Sequence, residues 1–155
     1  IGTLRGEVID VSGHTLNHIA LHVPQVKAAF TADSLMALGC GRVFEGTMEQ
    51  MYDSLLKLAA LPHDTMIYSG HEYTAANARF ALSVDGNNPA LLARVEAITS
   101  ARAAGIPTVP SELSLELDTN PFLRTDDTAI RIGLGLESAN DAAVFAALRL
   151  KKNSF

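Results

Sequence analysis

Three strand-like segments each lead into a side chain that can bind a metal ion. The segment "VIDVSGH" ends at His14, "AAFTAD" ends at Asp33 and "TMIYSGH" ends at His71. Because the ends of strands that run side by side meet at one edge of a sheet, these side chains can converge although they are distant in the chain. Two imidazoles and a carboxylate suit zinc, iron or manganese. The alternative for each histidine is an ordinary hydrogen-bonded loop residue.

Glycines surround these candidate ligands. Gly13 and Gly70 stand directly before the two histidines, and we predict that they let the backbone turn sharply and present the imidazoles. A Gly-Cys-Gly-Arg turn at 39–42 follows Asp33 and precedes a helix start. Its Cys40 is a candidate nucleophile, but the sequence implies no histidine partner for it. We therefore predict that Cys40 is a packed thiol.

The other histidines are weaker candidates. His14 and His18 are four residues apart, as in the helical H-E-x-x-H zinc motif, but Thr15 stands where that motif has its glutamate. The alternation of "HIALHV" predicts a strand, which places His18 and His22 on one face as structural residues rather than ligands. His63 lies between Pro62 and Asp64, and we predict that it is exposed in a turn.

The elements that must position these residues fall into two halves. From Gly6 to Ser69, short β-branched or alternating runs predict strands at "GEVIDV", "HIALHV", "AAFTA" and "TMIYS". Before the last of them, Thr47 and Gln50 have the spacing of a capping box and predict the start of an amphipathic helix. After Tyr73 no strand is predicted.

Helices dominate the second half of the prediction. Asn88 followed by Pro89 marks a helix start, with a stop at Gly105. A second helix is predicted from about Asn140 to Lys151. Between them we predict a proline-containing connection from Ile106 to Asn120. The pattern indicates an α/β half followed by a helical half.

Composition excludes several classes of function. The chain has 155 residues, 48% of them hydrophobic and 19% charged, which is typical of a globular protein rather than a disordered one. A formal net charge of -5 disfavours nucleic acid as a partner. No apolar run reaches the roughly 20 residues of a membrane span, so no membrane partner is expected. The single cysteine, Cys40, excludes an internal disulfide and favours a reducing, cytoplasmic location.

Five segments in order carry a family resemblance: "GHT" at 13–15, "FTADSLMALGCGRVFEGT" at 30–47, "YSGHEYT" at 68–74, "NPFLR" at 120–124 and "FAALRLKKNSF" at 145–155. Together they resemble glyoxalase II, the hydroxyacylglutathione hydrolase of the metallo-β-lactamase superfamily. The resemblance implies the C-terminal half of an αββα sandwich at residues 1–73. It implies a small all-helical, substrate-binding domain at residues 74–155.

The resemblance also implies a metal-dependent thioester hydrolase. Two divalent metal ions, zinc or alternatively iron or manganese, would activate a water for attack on S-lactoylglutathione, releasing glutathione and D-lactate. His14 matches a ligand of one ion and His71 a ligand of the other. Asp33 matches the catalytic carboxylate that bridges both ions. The absence of a G-x-S-x-G nucleophile motif fits such a mechanism.

The glutathione contacts of the family match a second set of residues. These substrate-binding matches are Arg42, Phe44, Tyr73, Arg149 and Lys152. At Phe44 the side chain lacks the hydroxyl found in some members. The small-molecule partner implied is therefore a glutathione thioester.

Departures from the family pattern leave alternatives open. The first metal-binding segment, H-x-H-x-D-H, is absent and is expected upstream of Ile1, so this chain supplies only part of the ligand set. Ala32 stands where glycine is usual, and Ser12 where proline is common. One alternative is a persulfide dioxygenase-like enzyme with a single iron, which the "FEGT" continuation and the helical tail disfavour. The other is a non-catalytic fragment.

Overall fold

Short strands, all but one of them in the first half of the chain, form the sheets of the computed structural model, which describes residues 2–155. They are β1 (Glu7–Asp10), β2 (Ile19–Val23), β3 (Ala28–Ala32), β4 (Leu35–Met36), β5 (Gly39–Cys40), β6 (Met66–Ser69) and β7 (Ser111–Glu112). The four strands predicted from β-branched and alternating runs correspond to β1, β2, β3 and β6, and these predictions are confirmed.

The main sheet has the order β1-β2-β3-β6-β7 among the described residues, and β4 and β5 form a separate hairpin. Strand β2 is antiparallel to both β1 and β3, and β6 is parallel to β3. It follows that β1, β3 and β6 all run in the same direction. Their carboxyl ends therefore meet at one edge of the sheet, which is the geometry that the candidate ligands require.

Helices make up most of the second half, and one further helix lies among the strands of the first half. They are α1 (Met48–Ala59), α2 (Thr74–Asp85), α3 (Pro89–Ala103), α4 (Leu113–Thr119), α5 (Thr128–Leu134) and α6 (Asp141–Asn153). The predicted capping box at the start of α1 is confirmed, because Thr47 Oγ1 accepts from Gln50 N at 3.1 Å and Gln50 Oε1 accepts from Thr47 N at 2.9 Å. Asn88 caps α3 as predicted, and α6 begins after Asn140.

Two predictions about the second half are wrong. A strand does follow Tyr73, since β7 pairs with β6 through Met66↔Glu112 and Ile67↔Ser111. The segment from Ile106 to Asn120 is not only a connection, because it contains α4. Helices α2 and α5 were also not predicted. All of these elements are short or lack a one-sided apolar stripe, and they gain their stability from contacts with the rest of the molecule.

The core joins the sheet to the helices. Helix α1 buries Met51, Tyr52, Leu55 and Leu58, and α6 buries Val144, Phe145 and Leu148. At the centre, the Phe122 ring lies 5.7 Å from that of Phe80 and 5.9 Å from that of Phe145. Aromatic pairs at such distances stabilise a core beyond the area that they bury.

The opposite face of the sheet carries an exposed apolar row. Val8, Leu21, Phe30 and Tyr68 are paired across β1, β2, β3 and β6, so their side chains stand on the same face. Phe30 and Tyr68 stack with ring centroids 5.1 Å apart and remain 47% and 38% exposed. None of the helices in the described part of the chain has the length and apolar character needed to cross a membrane.

Candidate active site

The structure brings the three predicted metal ligands together at the carboxyl ends of β1, β3 and β6. His14 Nε2 lies 3.5 Å from Asp33 Oδ2, and His71 Nε2 lies 3.5 Å from the same oxygen. One carboxylate oxygen thus faces two imidazole nitrogens. The convergence predicted from the strand ends is present in the structure.

A backbone contact determines which nitrogen His14 presents. His14 Nδ1 lies 2.8 Å from the carbonyl oxygen of Arg42, which can only accept, so the proton sits on Nδ1. In the neutral ring the lone pair is then on Nε2, which faces Asp33. A histidine held in this way by a backbone carbonyl is the usual arrangement of a metal ligand.

Asp33 is held through its backbone and leaves a carboxylate oxygen free. Its N–H donates to His18 Nε2 at 3.1 Å, while Oδ1 is buried and has no hydrogen-bond partner among the described residues. Gly70 leaves room beside it, because a Cβ at that position would lie 2.9 Å from Asp33 Oδ1 and displace the carboxylate. Gly13 has a φ of 145°, which agrees with its predicted role in a sharp turn.

These donors fit part of a metal site. Two imidazole nitrogens and a carboxylate with an unpartnered buried oxygen are suitable ligands for zinc, iron or manganese. Within residues 2–155, no group of three or more His, Cys, Asp or Glu side chains is placed so that it could hold a metal ion. The fit is therefore to a partial ligand set.

The remaining histidines lie outside the candidate ligand set. His18 accepts from Asp33 N and has its Nδ1 3.3 Å from Thr15 Oγ1, so both ring nitrogens are occupied. Burial is the largest cause that lowers the pKa of His18, and the nearby His14 lowers it further. Asp33 has a smaller effect in the opposite direction. His22 is buried beside Glu7 with 3.7 Å between Nδ1 and Oε2. His63 is exposed.

All of the predicted site residues line one cavity of about 500 Å³. The three candidate ligands lie at one end. The lining also includes every residue predicted to contact substrate, namely Arg42, Phe44, Tyr73, Arg149 and Lys152. The Phe44 ring lies 5.1 Å from that of His14, and the Tyr73 ring stacks on His71 at 5.1 Å.

Two cations of α6 line the cavity. Arg149 is 3% exposed, and its Nη1 donates to the carbonyl of Cys40 at 2.7 Å, while its Nε is buried without a partner in the described part of the chain. Lys152 is half-buried and donates to the carbonyl of Ala76 at 3.3 Å. Burial, followed by the charges of Arg149 and Arg79, lowers the pKa of Lys152 to about 8. Lys151 is exposed and does not line the cavity.

Cys40 is a packed thiol, as predicted. It is 6% exposed, and burial raises its pKa to about 11 although Arg149 opposes the shift. A thiol with such a pKa is almost wholly protonated near neutrality and is a poor nucleophile.

Three cavity residues were missed from the sequence. Met36, Ala76 and Asn77 complete the lining together with Cys40 and Gly41 of the predicted Gly-Cys-Gly-Arg turn. Asn77 Nδ2 donates to the carbonyl of Ala37 at 2.9 Å, so it also holds the β4–β5 hairpin. The buried face of its helix, α2, includes the polar residues Thr74, Asn77 and Asp85, so the sequence lacks the continuous apolar stripe that would have identified the helix.

Comparison with known sequence families divides the chain close to His71. Residues 72–155 match the family described as "Hydroxyacylglutathione hydrolase C-terminus", and residues 1–71 match the "Metallo-beta-lactamase superfamily". The fold is accordingly that of a metallo-β-lactamase sheet followed by helices.

Individual relatives agree with these matches. Proteins named hydroxyacylglutathione hydrolase from Roseobacter denitrificans and Ruegeria pomeroyi are 63% and 64% identical over 96% of this chain, which spans 58% of the length of each. The crystal structure of ETHE1 from Myxococcus xanthus aligns with a TM-score of 0.55 and 24% identity, over 99% of this chain and 56% of that protein. At that identity the likeness shows the fold alone.

Proposed function

Because the chain belongs to the hydroxyacylglutathione hydrolase C-terminus family through residues 72–155, we propose that it is part of a metal-dependent thioester hydrolase. The substrate of the whole protein is an S-2-hydroxyacylglutathione such as S-lactoylglutathione, and the products are glutathione and a 2-hydroxy acid such as D-lactate. Residues 1–73 supply the metal ligands and the substrate contacts Arg42, Phe44 and Tyr73. Residues 74–155 supply the substrate contacts Arg149 and Lys152.

One observation carries this proposal. The candidate metal ligands come from the first half of the chain and the candidate substrate residues from both halves, and the two sets line a single cavity. A hydrolase of this kind needs both sets within the length of one substrate, since the bond that breaks must lie beside the ligands while the rest of the molecule is held nearby.

On the ligand side, each residue has a defined role. His14 and His71 would each hold a divalent ion through Nε2, and Asp33 would contact both ions because its Oδ2 faces both imidazoles. A bound ion supplies Lewis-acid polarisation of the thioester carbonyl and activation of water. His18 holds the Asp33 backbone, and its lowered pKa favours the neutral ring that can accept the Asp33 N–H.

On the substrate side, the cavity matches an anionic tripeptide. The chain carries a net charge of -5, so attraction to glutathione carboxylates must come from a local group of cations. Arg149, Lys152 and Arg42 supply such a group at the cavity wall. Burial strengthens the interaction of Arg149 with an anion, because little water is present to screen it.

The aromatic lining positions the acyl end. Phe44 and Tyr73 flank the two imidazoles and remain 68% and 54% exposed, which leaves their faces available to a ligand. In hydrolysis a water oxygen bonds to the carbonyl carbon, the C–S bond breaks, and the sulfur leaves as glutathione thiolate. Cys40 takes no part in this step, since its raised pKa keeps it protonated.

The experiment that tests this function is Asp33→Ala in the whole protein. We expect loss of bound metal, measured by elemental analysis, and loss of S-lactoylglutathione hydrolysis, each by about tenfold or more. His22→Ala is the control, because it removes a buried imidazole that faces Glu7 rather than the cavity. Full metal occupancy in Asp33→Ala would contradict the bridging role, and a wild-type protein with a single iron would contradict the two-ion assignment.

A further inference from the structure

The β4–β5 hairpin is held by side chains from distant helical parts of the chain. Leu38 N donates to Glu116 Oε2 at 2.9 Å, and Asn120 Nδ2 donates to the carbonyls of Met36 at 3.2 Å and Gly39 at 3.1 Å. We call Glu116 and Asn120 the hairpin anchor. The Leu38 side chain is itself fully buried in the cluster formed with α2 and α3.

Glu116 is the centre of this anchor. It is 0% exposed, and every group bonded to it is a donor. Oε2 accepts from Leu38 N and from Asn120 Nδ2, the latter at 3.1 Å, while Oε1 accepts from Ser111 Oγ at 2.5 Å and from Arg94 Nη2. Four donors match the lone pairs of one carboxylate. A glutamine would place an amide N–H against a donor at one of these oxygens.

The hairpin in turn holds the candidate site. Its end continues into Gly41, whose N donates to the carbonyl of Ser34 at 3.3 Å. A Cβ on Gly41 would lie 2.1 Å from the Asp33 carbonyl oxygen and 3.0 Å from His14 Nδ1, so this backbone lies directly against both ligands. The next residue, Arg42, supplies the carbonyl that orients His14.

We propose that Glu116 is a positioning residue for the candidate site, acting through the hairpin. It links α4 to the backbone of residues 38–42, and through Arg42 it determines which nitrogen His14 presents. Glu116 does not line the cavity, so its influence on a ligand is indirect. The expected effect on glutathione binding rests on the proposed function. The expected effect on which nitrogen of His14 carries the proton does not.

The test compares Glu116→Gln with Asp85→Asn in the 155-residue chain. Asp85 is a matched control, because it is a 6% exposed carboxylate that accepts from Arg124 Nε and Asn88 Nδ2 and has no hydrogen bond to the hairpin among the described residues. Long-range proton–nitrogen correlation spectra of histidine-labelled chain report which ring nitrogen of His14 carries the proton. S-hexylglutathione, a glutathione thioether that cannot be hydrolysed, is the binding probe.

We expect both variants to lower the melting temperature. Only Glu116→Gln should convert His14 from the Nδ1–H form to a mixture of forms and weaken S-hexylglutathione binding by about tenfold. An unchanged His14 signature together with unchanged affinity in Glu116→Gln would overturn the proposal. An altered His14 signature with no probe binding by the wild-type chain would support positioning and count against the glutathione site.

If Glu116→Gln does not fold, the milder variant Asn120→Ala tests the proposal. Asn120→Ala removes the donors to Met36 and Gly39 but leaves Glu116 paired with Arg94. The same conversion of the His14 signature is expected, to a smaller extent. Retention of the pure Nδ1–H form in folded Asn120→Ala would overturn the proposal.

Discussion

At the scale of single residues, neighbouring backbone groups give identical side chains different roles. His14 and His18 lie with ring centroids 5.2 Å apart. The Arg42 carbonyl holds the proton of His14 on Nδ1 and leaves Nε2 directed at Asp33. His18 uses its Nε2 to accept from the Asp33 backbone and has no nitrogen left for a metal. The two histidines differ because the Arg42 carbonyl accepts a hydrogen bond from His14, whereas the Asp33 N–H donates one to His18.

The charge of Lys152 is sensitive to mild alkali. Its pKa is lowered from 10.5 to about 8 by burial and by the charges of Arg149 and Arg79. Cys40 is the nearby group that opposes this shift, and it titrates only near 11. Because the lowered pKa belongs to a cation, the positive charge is present below pH 8 and is lost as the pH rises through 8.

The first residue-scale prediction concerns the affinity for S-hexylglutathione between pH 7 and pH 9. We expect the affinity to fall by about tenfold, since the protonated fraction of Lys152 falls by that factor. Titration calorimetry measures the change. In Lys152→Ala the dependence on pH should flatten, and in Lys151→Ala, which changes an exposed lysine outside the cavity, it should persist. Equal profiles in the two variants would contradict this assignment.

At the scale of elements, the end of β3 combines strand pairing with a strained backbone. The register between β3 and β6 shifts between Phe30 and Ala32. Ala32 has a φ of 45°, in the left-handed region that disfavours residues with a Cβ. This bulge turns the chain so that the next residue, Asp33, leaves the sheet toward the histidines. The strain lies directly beside the candidate site.

The element-scale prediction compares two alanines of β3. Ala32→Gly should leave the free energy of unfolding within about 1 kcal/mol of the wild type or raise it, because relief of strain offsets the greater freedom of the unfolded chain. Ala29→Gly should lower the free energy by about 1 kcal/mol, since Ala29 is fully buried and has no positive φ. Urea unfolding measures both. Equal losses in the two variants would show that Ala32 is not strained.

At the scale of the whole molecule, burial is uneven between the two faces of the sheet. One face packs into the core through side chains such as Ala20, Ala29 and Ile67. The other carries the apolar row of Val8, Leu21, Phe30 and Tyr68. Contiguous exposed apolar surface favours association, because covering it removes that area from water.

The whole-molecule prediction is that the 155-residue chain self-associates through the apolar row. Sedimentation velocity should show a mean mass that rises with concentration, and Phe30→Lys should reduce the rise. Ile132→Lys is the control, because Ile132 is 58% exposed on α5, away from the row. A wild-type chain that stays monomeric at every concentration would contradict the prediction.

Local patterns in the sequence predicted the elements whose start or periodicity is marked by their own residues. The capping box at Thr47, the Asn88-Pro89 helix start and the alternating strands all appear in the structure. The positions of His14, Asp33 and His71 at strand ends followed from the same patterns, because one parallel direction brings such ends to one edge. The elements themselves depend on interactions between residues that are close in sequence, whereas the convergence of the strand ends also needs the pairing of the sheet.

Tertiary structure alone decided the features that depend on distant contacts. Strand β7 is two residues long and exists through its pairing with β6, and α4 and α5 are only seven residues each, too short to be stable without packing. The His14 proton position and the lowered pKa of Lys152 depend on neighbours from other elements. In the sequence, no local pattern distinguishes Glu116 from the other acidic residues near it. Its burial among four donors arises only when the helices close over the hairpin.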